Sequence, residues 1–370
     1  MKRAITLAGG GPAAGLHIGM LQRLEEEDIK FDVWALSCIG AWVGIVYNQF
    51  EGPDRAKKTY EFFRDGVFRD DVSYSKFPIN TVFGPDWGAL GRATTEFILD
   101  PKTYDNLWLP DRMMKAAAET VEFMRDTTKW NEGDLNHWSL NNVMAVNPFI
   151  RYWTSLLYLS NVNGLSRIHY PDSSFLQAIR FEKIFERKEF IFHNAWNLSK
   201  QRLALFANRK DRTDFRPIDA ASLCACSALP FVEATVDIDG DTYCEGALVD
   251  TVNFERLLDE HPDLDEVWVS RIVDADQVRS PKNLTDALGN LCMLFAATVG
   301  EDDIKLFKFH VKYDNKWHGD IVEIEVDSRI TFDWNHKNLK DGFDRGYEAT
   351  KRRVQQYRSA AESGPQLVTG

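Results

Sequence analysis

The first fifty residues run twice through the same unit, and that repetition narrows the folds open to the chain. Residues 3–8 (RAITLA) read as a short buried strand and Gly9–Gly11 as a turn. Residues 13–27 read as a helix whose Leu16, Met20 and Leu24 fall at i, i+4 and i+8. Residues 31–37 (FDVWALS) read as a second strand, and 39–50 (IGAWVGIVYNQF) as a second helix opened by small residues. Strand, turn and helix, repeated in so short a span, are the rhythm of a parallel α/β sheet. The expectation is a single α/β domain over residues 1–370, with a mostly parallel central sheet flanked by helices in three layers.

Beyond residue 50 the pattern is less regular. Residues 53–65 and 111–129 predict charged amphipathic helices. The stretches 66–110 and 130–180 carry many aromatic, Pro, Asp and Asn residues and little periodicity. They place a cap or insert over residues 51–184, or else complete the core. Alternation returns in KEFIFHNAWNL and RLALFANR, two adjacent strands within 188–209. Residues 218–229 read as a helix of small residues, and the hairpin that follows turns at Asp239-Gly240. A valine-rich strand lies in 265–275, a helix over 281–299, strands over 304–313 and 320–326, and a basic helix over 338–360. The polar tail 363–370 is expected to fray.

Composition removes several functions. The net charge of −12 argues against a general nucleic-acid binder, which needs a basic surface to neutralise phosphates. No run reaches the roughly 18–20 apolar residues of a membrane span. The opening MKRAITLAGGG has too short an apolar stretch for a signal peptide, so a cytoplasmic protein is expected. The five cysteines, Cys38, Cys224, Cys226, Cys244 and Cys292, are odd in number and sparse, which speaks against a disulfide framework. Their spacing fits no zinc knuckle and no redox pair, and GGGPAAG lacks the Lys-Ser/Thr of a phosphate-binding loop. No metal and no cofactor are expected.

Three segments carry chemistry. Gly9, Gly10 and Gly11 stand between a strand and a helix, where backbone N–H groups and the helix N-terminus favour negative charge. Such a turn binds a phosphate, holds a developing oxyanion, or simply closes a tight strand-helix connection. Cys38, in Leu36-Ser37-Cys38-Ile39-Gly40-Ala41, also follows a strand and opens a helix. A nucleophile elbow, G-x-S-x-G, has that context; here Gly40 keeps the last glycine and Leu36 replaces the first. The helix N-terminus is expected to lower the thiol pKa, although a buried cysteine also serves as a small hydrophobe. Ser37 competes as nucleophile but sits one residue early. In Tyr243-Cys244-Glu245-Gly246-Ala247, Gly246 lets the Glu245 carboxylate ride a tight turn, as a base or as an ordinary hairpin-end acid. His17 and His193 read as packed core residues, and the aromatic stretch 130–160 as the wall of an apolar acyl pocket or as plain core.

Taken in order, the glycine turn, the elbow about thirty residues later and the acid-Gly turn resemble the patatin-like phospholipase family. AGLHIGMLQRL is similar to that family's glycine-turn helix. IDAASLCACSALPFVEATVDIDGDTYCEGALVD is similar to its small-residue helix ending at Leu-Pro, followed by a strand pair and an Asp-Gly-Gly turn. The likeness covers residues 3–50 and 185–275 well and 51–184 weakly, and is greatest to a bacterial branch associated with polyhydroxybutyrate metabolism. The family uses a serine-aspartate dyad without histidine. The resemblance therefore places Cys38 where the serine stands and Glu245 where the aspartate stands, with Gly9–Gly11 as oxyanion hole and Gly40 and Gly246 as supports. Ala13 and Ala14 replace a common Arg-Gly.

Both dyad positions depart from the pattern, yet each keeps competent chemistry, nucleophile for nucleophile and carboxylate for carboxylate. The implied function is hydrolysis or transfer of an acyl group through an acyl-Cys38 thioester. The implied substrates are a lipid, a hydroxyalkanoate oligomer or an acyl-coenzyme A, with contact to a membrane or granule surface. The other reading is a non-catalytic protein of the same fold that binds a lipid or polymer surface.

Overall fold

The computed structural model describes residues 1–70, 75–76, 82–104, 107–159, 163–168, 173–271, 277–313, 317–326 and 331–363. The elements in chain order begin with β1 (Arg3–Leu7), α1 (Ala14–Glu26), β2 (Val33–Leu36), α2 (Ile39–Asn48), α3 (Arg55–Gly66) and β3 (Phe83–Gly84). Four helices follow: α4 (Trp87–Leu99), α5 (Pro110–Arg125), α6 (Glu132–Trp138) and α7 (Pro148–Leu159). Next come β4 (Gly164–Ile168), α8 (Ser174–Gln177), α9 (Phe181–Phe185), β5 (Phe190–Asn197), β6 (Arg202–Ala207) and β7 (Arg216–Pro217). Then come α10 (Ala220–Cys226), β8 (Phe231–Glu233), β9 (Val236–Ile238), β10 (Asp241–Glu245) and α11 (Phe254–Glu260). The last are β11 (Glu266–Arg271), α12 (Leu284–Tyr313), β12 (Asp320–Glu325) and α13 (His336–Ser363).

Two compact units arise, residues 1–85 with 166–370, and residues 86–165. In the first, the central sheet runs β12-β11-β1-β2-β5-β10-β9, with β6 and β7 attached beside β5. The run from β12 to β5 is parallel, and β10 and β9 close it antiparallel. This is the mostly parallel, helix-flanked α/β sheet that the opening repeat predicts. Alternating side chains divide between its two faces, as the period of a strand demands. Ile5, Leu7, Trp34, Leu36 and Trp268 pack with helices α1 and α2 on one face. Ala4, Val33, Ala35, Val267 and Val269 pack with Phe254, Ile304 and Phe307 on the other. Helix, sheet and helix make three layers.

One expected element is overturned. Residues 304–313 (IKLFKFHVKY) alternate like a strand, yet they continue α12. Met293, Ala297, Ile304 and Phe307 bury one helical stripe, and Phe307 stacks on Phe254 with ring centroids 3.9 Å apart. Burial of that stripe outweighs the local alternation. Of the expected strand over 265–275, residues 266–271 form β11 and 272–276 lie outside the described residues, as do 364–370 of the tail.

Residues 86–165 form a helical unit: α5 (Pro110–Arg125) answers the helix expected over 111–129, and the other helices fall where the sequence showed little periodicity. Asp86 caps α4 by accepting from the Ala89 N–H at 2.9 Å. Phe123 stacks on Trp138 at 5.2 Å and Phe97 meets Tyr152 edge-on at 4.8 Å. Its core is thin: among the unit's described residues, the buried ones are Ala93, Phe97, Thr103, Ala116 and Phe123.

Candidate active site

The site forms where β1, β2 and β10 reach the same end of the sheet. β2 ends at Leu36, and Cys38 takes φ 47° and ψ −124° before α2 begins. A cysteine at positive φ is strained by about 1–3 kcal/mol, and such strain persists where the surroundings hold it. Here the hold comes from Gly40, where a side chain would drive into the carbonyl of Leu7 on β1. Glycine lets α2 start against the neighbouring strand, so the turn at Cys38 is sharp.

Behind the elbow lies a polar network. Ser37 is buried, receives a hydrogen bond from Asn253 Nδ2 at 3.0 Å and donates to Asn194 Oδ1 at 3.4 Å. Asn194 donates to the Asp250 carbonyl at 2.7 Å and to Asn253 Oδ1 at 2.9 Å. Ser37 is thereby engaged away from the cleft that Cys38 lines. Asn194 and Asn253 carry no motif in the sequence; their one signal is an asparagine inside the apolar strand FIFHNAWN.

Glu245 ends β10 opposite Ala195 of β5, and its N–H donates to the Ala228 carbonyl at 2.9 Å. That carbonyl follows α10, which is fixed by reciprocal bonds between Asp219 and Ser222. Gly246 packs so closely on Asn194 and Ala195 that no side chain fits there. Glu245 and Cys38 line the same cleft, and their side chains are near enough to perturb each other's ionisation. Gly9 completes the junction: a Cβ there would lie 3.1 Å from Cys38 Cβ and 3.3 Å from Ala247 Cβ. The Gly9 N–H donates to Thr251 Oγ1 at 3.2 Å, whereas none of the described residues accepts from the N–H groups of Gly10 and Gly11. The three segments singled out in the sequence therefore meet at one point.

Around that point is a cleft of about 70 Å³, lined by apolar side chains such as Trp42, Phe63, Val67, Leu229 and Phe332, with Cys38 and Glu245 at its polar end. Burial sets the electrostatics. It pushes the Glu245 carboxyl up to about 7, against a smaller opposing pull from the neighbouring Cys38 thiol. Burial, reinforced by the nearby Glu245 charge, raises the Cys38 thiol well above its ordinary value. This corrects the expectation of a thiolate stabilised by the helix N-terminus: desolvation wins, and the resting group is a thiol. A second acid, Glu233 of β8, also lines the cleft and was not foreseen.

The histidines behave as packed residues. His17 bonds Ser270 Oγ at 2.8 Å and the Ala8 carbonyl at 2.9 Å, and burial lowers it to about 4. His193 bonds Ser222 Oγ at 3.2 Å and is likewise lowered to about 4 by burial. Among the described residues no group of three or more His, Cys, Asp or Glu side chains is placed to hold a metal ion.

Fold and site together define a class, the α/β proteins with a sharp strand-to-helix turn at the end of a parallel strand, here faced by a carboxylate from a neighbouring strand and by a glycine turn. The patatin-like phospholipase family model matches residues 5–258, most of the chain, and the chain belongs to that family. Patatin-like phospholipase domain-containing protein 6 of Mus musculus and of Homo sapiens are each 26% identical to it over 131 residues. Those matches cover 34% of this chain and 9% of each relative, so the chain spans a small part of their length. Among solved structures, VipD from Legionella pneumophila aligns with a TM-score of 0.37 and 11% identity, over 95% of this chain and 67% of that one.

Proposed function

We propose that the chain is an acyl hydrolase or acyltransferase that works on ester or thioester lipids through a covalent acyl-Cys38 intermediate. The observation that carries this reading is Cys38 held at φ 47° on a strand-to-helix turn, with Glu245 Oε1 and Cys38 Cβ both packed on Gly9 at the wall of one mainly apolar cleft. Glu245, with its pKa near 7, is balanced to accept and return a proton at neutral pH.

The first half-reaction runs as follows. Glu245 takes the thiol proton as Cys38 Sγ bonds to the substrate carbonyl carbon. The carbonyl oxygen becomes an oxyanion, for which the N–H groups of Gly10 and Gly11 are the available donors, Gly9 being the spacer between them and Cys38. When the tetrahedral adduct collapses, the bond to the alcohol or thiol breaks, and that group leaves with the proton held by Glu245. A thioester remains on Cys38. In the second half, water or another acceptor loses a proton to Glu245 and attacks the thioester carbonyl. Cys38 leaves as thiolate and recovers its proton from Glu245. Apolar lining suits an acyl chain, and membership of a phospholipase family supports a lipid ester as substrate. Five unpaired cysteines support a reducing compartment such as the cytoplasm.

The test is intact mass after mixing with short acyl esters and thioesters, followed by peptide mapping. One acyl group on Cys38 is expected, absent in Cys38→Ala and retained in Cys292→Ala, which removes the other cysteine lining the cleft. Unchanged turnover in Cys38→Ala would sink the reading and favour a non-catalytic lipid-binding protein.

A further inference from the structure

Glu233 is a buried acid that the acyl-transfer chemistry above does not use. It ends β8, which joins β3 and β4 in a small second sheet, and it follows Phe231, whose backbone sits at φ 73°. Phe231 exposes its ring to solvent while Glu233 is only 8% exposed and lines the same cleft as Cys38 and Glu245. It is close enough to both for their charges to interact. Its Oε2 atom is buried, and among the described residues none hydrogen-bonds to it. An unpartnered buried polar atom costs about 1–3 kcal/mol, so a site that keeps one has a use for it. Trp42, Phe63, Val67 and Phe332 line the same cleft, so Glu233 and Ser227 add polar points to a mainly apolar wall.

Resting on the reading of Cys38 and Glu245 as the reacting pair, we propose that Glu233 is a specificity subsite that binds a free hydroxyl carried by the substrate close to the scissile carbonyl. Burial first, and then the Glu245 charge, raise the Glu233 carboxyl well above its ordinary value, so it enters the cleft uncharged. A neutral carboxyl offers one O–H donor and one C=O acceptor, and a hydroxyl answers both. An ammonium group would fit less well, since a cation gives up far more hydration on entering an apolar cleft than a hydroxyl does. It would also draw Glu245 away from Cys38. The hydroxyl can stand on the acyl chain or on the alcohol portion of the ester; the carboxyl recognises the same chemistry in either.

Two substrate pairs separate those sources. One compares 3-hydroxyoctanoyl with octanoyl thioesters of N-acetylcysteamine, and the other monooctanoylglycerol with propyl octanoate. We expect kcat/KM to favour the hydroxylated member of at least one pair by about tenfold or more, because a site built to bond a hydroxyl rejects the analogue lacking it. Glu233→Leu should bring that ratio close to one, whereas Glu233→Gln, which keeps a donor and an acceptor, should retain most of it. Glu233→Leu removes an unsatisfied buried group, so its Tm should not fall, and a lost preference then reports binding. Absence of preference in both pairs, or its survival in Glu233→Leu, overturns the proposal. If the reading of Cys38 fails and nothing is turned over, binding of 3-hydroxyoctanamide against octanamide, followed by tryptophan fluorescence, decides the subsite alone. Tighter binding of the hydroxylated amide that Glu233→Leu abolishes supports it, and equal binding overturns it.

Discussion

In the folded protein the Glu245 carboxyl keeps its proton to about pH 7 because it is buried, whereas the ordinary value is 4.5. Two consequences follow, with opposite signs. Only the ionised carboxylate can receive the Cys38 proton, so the rate of Cys38 acylation should rise with pH through about 7. Glu245→Gln should abolish that limb and slow acylation by about 10²–10⁴-fold, read by stopped-flow release of a chromogenic thiol. Stability runs the other way. Between pH 4.5 and 7 the folded state holds a proton that the unfolded state has released, so this group's contribution is full below 4.5 and is lost as pH rises through 7. At about 1.4 kcal/mol per pH unit the loss approaches roughly 3 kcal/mol. Urea unfolding should find Glu245→Gln close to the parent at pH 5 and more stable by about 2–3 kcal/mol at pH 8. Cys38 and Glu245 could be singled out in the sequence through the resemblance of their segments to the family's dyad, with Gly40 two residues after one and Gly246 directly after the other. Glu233 was not, because its burial depends on a strand pairing that joins β8 to β4, more than sixty residues away in the chain.

At the scale of elements, the glycine turn is held by the helix that follows it. Gly15 and Gly19 of α1 lie directly on the backbone of α13 at Leu339 and Phe343, and Gly346 of α13 lies on the Leu16 carbonyl. Absent side chains let the two helices approach to backbone contact. Gly19→Ala should therefore lower stability by about 1–3 kcal/mol, as overpacking does. Gly91 of α4 has open space around it, and Gly91→Ala should raise stability by about 0.8–1 kcal/mol, the helix-propensity difference alone. Urea unfolding of the two variants distinguishes a packed glycine from an idle one. Helix α1 itself was readable from Leu16, Met20 and Leu24, which are all buried. The seam was not, since no local pattern says which distant helix will meet those glycines. The misread strand at 304–313 has the same origin: Ile304 and Phe307 reveal their helical stripe only once Phe254 and the sheet supply a surface to bury it.

For the molecule as a whole, the helical unit 86–165 enters through β3 and leaves through β4, and those strands pair antiparallel at Phe83–Ile168 and Gly84–Arg167. The two ends of the insert are thus brought together by the α/β unit. Replacing residues 86–165 by a short Asn-Gly turn should leave the sheet folded. Far-UV circular dichroism should lose helix in proportion, while the cooperative unfolding transition of the α/β unit persists. A chain that emerges unfolded would show instead that the insert is needed for the sheet. The sheet could be anticipated from the first fifty residues, whose periodicity is local. The compactness of 86–165 could not, because its few buried side chains leave a faint pattern.

The seam between α1 and α13 also bears on how the protein is born. Helix α1 is made early, and the backbone it must lie against is made more than three hundred residues later. At about 5–20 residues per second, a ribosome takes roughly 15–60 s to cover that distance. Throughout that interval α1 and the glycine turn before it lack their permanent neighbour. The nascent chain therefore carries Cys38 and Glu245 well before it carries the helix against which α1, and with it the glycine turn, is packed.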